Sequence, residues 1–121
     1  MNYLKQGVLI VSILFISACS NTHKETLSGG IKGSFVSSYS PVKLARCIDG
    51  NARLHLSGSL DPLIVDIDTK PIEVDIINGS YYWAIIFISE NESGSQADFY
   101  LGGAGKLFPK SSISDVTRDC S

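Results

Sequence analysis

A chain of 121 residues with ten basic and twelve acidic side chains has room for one small domain with one core. It lacks the basic patch that nucleic acid or anionic headgroups call for, so neither is the expected main partner. The three cysteines, at positions 19, 47 and 120, form no C-x-x-C pair, which removes thioredoxin-type redox chemistry.

The chain opens with a short head carrying Lys5, and residues Gly7 to Ile16 are apolar apart from Ser12. That is the layout of a secretory signal peptide. A bilayer-spanning helix needs ~20 apolar residues, and here the sequence turns polar directly after Cys19, with Ser20, Asn21, Thr22, His23, Lys24 and Glu25. The stretch Ile16-Ser17-Ala18-Cys19 closes the apolar run and resembles the lipobox of bacterial lipoprotein precursors. The resemblance covers the leader only and names no domain family. It implies that residues 1–18 are removed and that Cys19 becomes the N-terminus, with a diacylglyceryl thioether and an acylated amine (palmitate or a similar chain) as membrane anchor. Two or more acyl chains hold stably where one holds weakly. Ser20 stands where lipoproteins retained at the inner membrane typically carry Asp, so the resemblance implies the outer membrane, with the domain in the periplasm. Loss of residues 1–18 removes only Lys5, leaving nine basic and twelve acidic side chains and a formal charge of −3.

With Cys19 assigned to lipid, Cys47 and Cys120 remain, too few for a structural zinc site. In an oxidising periplasm a single disulfide is their expected fate. It would close a loop spanning most of the domain, for which chain entropy gives an upper figure of roughly 4 kcal/mol.

Residues 19–36 read as a lipidated flexible tether, since Ser20 to Gly33 is rich in Ser, Thr, Gly and Lys, with Leu27 and Ile31 as its apolar residues. Gly29, Gly30 and Gly33 neither follow a strand nor open a helix, so a nucleotide loop fails on context. The domain then covers 37–121. Ser40-Pro41 opens a helix, with Ser as N-cap and Pro at the first helical position. Tyr39 and Leu44 form a hydrophobic staple, and Leu44, Cys47 and Ile48 share the inward face. Gly50 with Asn51 is the expected stop; residues 52–62 are left open between helix and strand.

After Pro62 the period changes to two. A turn at Thr69-Lys70 pairs Ile67 with Ile72, Asn78-Gly79 pairs Ile76 with Tyr81 and Val74 with Trp83, and a three-residue loop Glu92-Ser93-Gly94 pairs Phe87 with Phe99 and Ile85 with Leu101. These registers place Leu63, Val65, Ile67, Ile72, Val74, Ile76, Tyr81, Trp83, Ile85, Phe87, Ala97, Phe99 and Leu101 on one core-facing side. Gly105-Lys106 is not a phosphate loop, because Tyr100 and Leu107 fill slots that the motif reserves for Gly and Ser/Thr. A last helix follows Pro109, with Ser112 as cap and Ile113, Val116 and Cys120 on one face. The expected fold is α+β: a four-stranded antiparallel meander with an N-terminal and a C-terminal helix on one face, joined by a disulfide.

No catalytic constellation emerges. His23 falls in the tether, His55 in a connector, and no Ser or Cys nucleophile has an assignable base. Asp66, Asp68, Glu73 and Asp75 lack the glycine turn of a calcium loop and read as a solvated strand face. No cofactor, metal or small-molecule ligand is expected, and the chain reads as a non-enzyme. The side away from the helices carries Tyr82, Ala84, Ile86, Ile88, Asp98 and Tyr100, with Asp75 opposite Tyr82. This is too apolar for a plain solvent face and reads as a docking surface for an envelope protein, with Tyr82, Ile86, Tyr100, Asp75 and Asp98 as its contacts. Residues 34–39 or 52–62 are the segments available to cover it. The functional expectation is a lipid-anchored interaction or structural module of the envelope. The alternatives are an immunity, inhibitor or phage-exclusion lipoprotein, then an envelope hydrolase.

Overall fold

The computed structural model describes residues 22–55, 60–79 and 81–121; the leader, Cys19 and Ser20 lie outside them. The elements in chain order are α1 (His23–Ser28), β1 (Gly33–Ser37), α2 (Pro41–His55), β2 (Leu60–Ile64), β3 (Ile72–Asn78), β4 (Tyr81–Asn91), β5 (Gly94–Leu101), a 3-10 turn (Gly103–Leu107) and α3 (Pro109–Thr117). The strands form one antiparallel sheet in the order β1-β5-β4-β3-β2. Among the described residues no helix is long and apolar enough to cross a membrane.

α2 begins as its sequence dictates, with the Lys43 amide donating to Ser40 Oγ at 3.3 Å and Leu44 N to Ser40 O at 2.9 Å. Leu44, Ala45, Ile48 and Ala52 are buried in the core. The helix runs through Gly50 and Asn51 to His55, because those residues do not act as a stop. The Asn51 amide donates to Val116 O at 3.0 Å and to Arg118 O at 2.8 Å, tying α2 to the end of α3. Cys47 and Cys120 are bonded, and Tyr39 Oη donates to Asp119 O at 3.2 Å. Ser37 Oγ donates to Cys120 O. The chain's last turn is thus held by a covalent staple and several hydrogen bonds. Ser112 lies within α3 and donates to Gly105 O rather than capping the helix.

The sheet has five strands rather than four. Residues Gly33–Ser37, expected in the tether and in a covering segment, pair with β5 from Gly33↔Phe99 to Ser37↔Ser95. Their apolar content is only Phe35 and Val36 among small polar residues, so the alternation is weak; the free edge of β5 supplies the ordering. Gly94 makes this pairing possible, since a Cβ there would run into the Ser37 and Ser38 backbone.

Three registers differ from expectation. Asn91 pairs with Gly94, which closes β4 and β5 over Glu92 and Ser93; Asn91 Oδ1 accepts from the Ser93 amide at 3.1 Å. Asn78 pairs with Tyr81, and a bulge at Trp83 brings Ile76 opposite Ala84. Ile64 pairs with Val74, and Asp66 accepts from the Asp68 amide at 2.9 Å, ending the alternation early. The first of these slips exchanges the faces of β4. Ala84, Ile86 and Ile88 therefore join Ile72, Val74, Ile76, Ala97, Phe99 and Leu101 under α2, whereas Ile85 and Phe87 face the other way. Trp83 stays in the core as the bulge residue, against Gly105. Leu63 and Val65 are exposed; Leu60, Pro62 and Ile64 turn inward in their place.

Candidate functional site

The inner face of the sheet is covered by α2, with α3 packed against α2 and β1, so the broad surface that the helices of the core side leave open is the outer face. Strand alternation sets its composition. β2 contributes Asp61 and Leu63, β3 contributes Glu73, Asp75 and Ile77, and β4 contributes Tyr82, Ile85 and Phe87. Gln96, Asp98 and Tyr100 come from β5, and Ser34 and Val36 from β1.

Of the expected contacts Tyr82, Ile86, Tyr100, Asp75 and Asp98, four share this face and Ile86 does not. Ile86 is fully buried on the core side, because the β4 register is one residue away from the expected pairing. Neither 34–39 nor the described part of 52–62 covers the outer face. α1 does so instead, packing on β4 and β5 from within the stretch read as tether. Thr22 caps it by accepting from the Glu25 amide at 3.2 Å. Thr26 is buried, and Ile85 beneath this side is fully buried as well.

α1 brings His23 to the two acids of β3. Its Nε2 lies 3.0 Å from Glu73 Oε2, and its ring meets Tyr82 edge-on with centroids 5.4 Å apart. Asp75, 5 % exposed, stands between Leu63 and Ile85 in the neighbouring strands. Its Oδ1 is buried without a hydrogen-bond partner. Burial raises the Asp75 carboxyl from 3.8 to about 7, aided by the hydrogen bond and charge of Glu73 and opposed by the charge of His23. One donor atom from each of His23, Glu73 and Asp75 lies within 4.8 Å of the other two, the one such grouping among the described residues.

Spacing on β3 alone gave Glu73 and Asp75 a common face. His23, fifty residues away from Glu73 and inside a polar segment, carried no sequence signal that it belonged with them. Tyr100 stacks edge-on against Phe87 at 5.7 Å, and Asp98 accepts from Ser34 Oγ at 2.6 Å and from Gln96 at 2.9 Å. An open groove of about 550 Å³ elsewhere is lined chiefly by Pro41, Val42, Ile67, Pro71, Ile72 and Ile88. No protein-family model, curated protein or solved structure matches the chain.

Proposed function

We propose that the chain is a lipid-anchored protein of the bacterial envelope, held at the outer membrane through Cys19 with its domain in the periplasm. It acts as a protein-interaction or structural module rather than as an enzyme. The lipobox-like Ile16-Ser17-Ala18-Cys19 supports the anchor, and a disulfide suits an oxidising compartment. Thr22, the cap of α1, follows Cys19 by three positions, a reach of at most about 11 Å. The domain would therefore sit close to the bilayer rather than at the end of a long tether.

The observation that carries the interaction reading is the outer face around α1. There Ile77, Tyr82, Phe87 and Tyr100 are half-buried and Leu63 is 53 % exposed. Apolar and aromatic surface of this kind favours protein contact. The strands supply Asp61, Glu73, Asp75 and Asp98 to it and no Lys or Arg. That charge favours, as a second reading, an immunity or inhibitor lipoprotein, or a phage-exclusion factor, that blocks a basic partner. A hydrolase is disfavoured because Asp75, at 5 % exposure, is not presented to a substrate.

The test is photo-crosslinking of the lipidated protein in native envelopes, from Leu63 or Tyr100 on the outer face and from Leu54, 79 % exposed on α2. Discrete adducts from the first two and none from Leu54 are expected. Adducts confined to Leu54, or none anywhere, contradict the reading.

A further inference from the structure

We propose that His23, Glu73 and Asp75 bind one divalent transition-metal ion of the zinc class, clamping α1 to β3. One imidazole nitrogen and two carboxylates supply three of the four ligands of a tetrahedral zinc, and a water can complete the set. Imidazole suits zinc and its neighbours, whereas magnesium and calcium take oxygen shells, so His23 selects against the latter pair. Bonds of ~2.0–2.1 Å in a tetrahedron put donor atoms roughly 3.3 Å apart. The His23 to Glu73 separation is already 3.0 Å. The Asp75 donor, within 4.8 Å of both, closes by side-chain rotation of its two partly exposed neighbours.

The independent observation is the Asp75 oxygen. A carboxylate Oδ1 buried with no donor is a costly arrangement, and a cation supplies the partner it lacks. Glu73 and Asp75 project from alternate positions of one strand onto one face and repel each other when ionised; a divalent ion neutralises the pair. Leu63 and Ile85 beside Asp75, Phe87 beside Glu73 and Tyr82 against the His23 ring contribute no competing ammonium or guanidinium. The His23 side chain is 41 % exposed, which gives an ion its way in.

The experiment uses the mature lipidated chain in detergent, stripped with a chelator and dialysed against ZnCl₂ with metal analysis. One zinc per chain, saturating in the micromolar range or tighter and not displaced by millimolar Mg²⁺ or Ca²⁺, is expected. CoCl₂ should give the intense visible bands of a tetrahedral site. His23→Ala and Asp75→Asn should each weaken zinc binding more than about 10-fold, a loss already typical of outer-shell partners, and abolish those bands. Both variants should keep the wild-type circular dichroism and the disulfide, since one alters a peripheral helix and the other replaces a buried carboxyl by an amide of the same shape. Absence of saturable binding at submillimolar zinc overturns the proposal. So does one equivalent retained by both variants, or equal uptake of calcium.

Discussion

Asn51 and Cys120 meet where the middle of α2 passes the end of the chain, the Asn51 amide lying 3.3 Å from the Cys120 sulfur while it donates to the Val116 and Arg118 carbonyls. The residue that reads as a helix stop is thus a clamp beside the disulfide. Replacing both cysteines with Ser should lower stability by about 2–5 kcal/mol, and Asn51→Ala by about 1–2 kcal/mol through lost hydrogen bonds. Because both hold the same chain end, urea melts of the combined variant should show a cost different from the sum.

Gly50 lies inside α2, and a Cβ there would meet nothing within 4 Å. Gly50→Ala should therefore stabilise the domain by about 0.5–1 kcal/mol, through reduced freedom of the unfolded chain. Equilibrium denaturation checks the gain.

Trp83 is buried at the bulge, whereas Tyr82, its neighbour in sequence, faces outward against His23. Trp83→Ala should cost about 3–5 kcal/mol. Tyr82→Ser should cost less, about 1–2.5 kcal/mol, the sum of the ring contact and of the area lost from a half-buried ring. Thermal melts of the two variants should separate.

In chelator-treated protein the carboxyl of Asp75, raised from 3.8 to about 7 by burial and by Glu73, favours its protonated form in the folded state. Its contribution to stability is fully present below about 4 and is lost as pH rises through about 7. His23 from α1 and Glu73 from β3 are the charged groups facing it, with Leu63 and Ile85 on its other sides. Wild-type melting points should thus fall between about pH 4 and 7, and Asp75→Asn should flatten that fall. An unchanged slope in the variant would assign the dependence elsewhere.

The sequence made some of this legible for physical reasons. Cys47 and Cys120 could be paired because each follows an apolar helical stripe, and β3 and β5 alternate cleanly enough for Val74, Ile76, Ala97 and Phe99 to face the core as expected. β4 reads Trp83-Ala84-Ile85-Ile86-Phe87-Ile88, apolar at every position, so pattern cannot choose its faces. The choice fell to turn geometry, where one residue at Asn91 and a bulge at Trp83 decided it. α1 is six residues of mostly polar sequence. It owes its place to the sheet beneath it, and His23 could not be matched to Glu73 and Asp75 before that place was known.

The proposed function requires a lipid on Cys19, within a few residues of this domain, and fatty-acid labelling in the native bacterium tests that most directly. Wild type should take up an alkyne-tagged fatty acid and migrate as the processed form, while Cys19→Ser should remain unprocessed precursor without label. Labelling of Cys19→Ser equal to wild type would contradict the account.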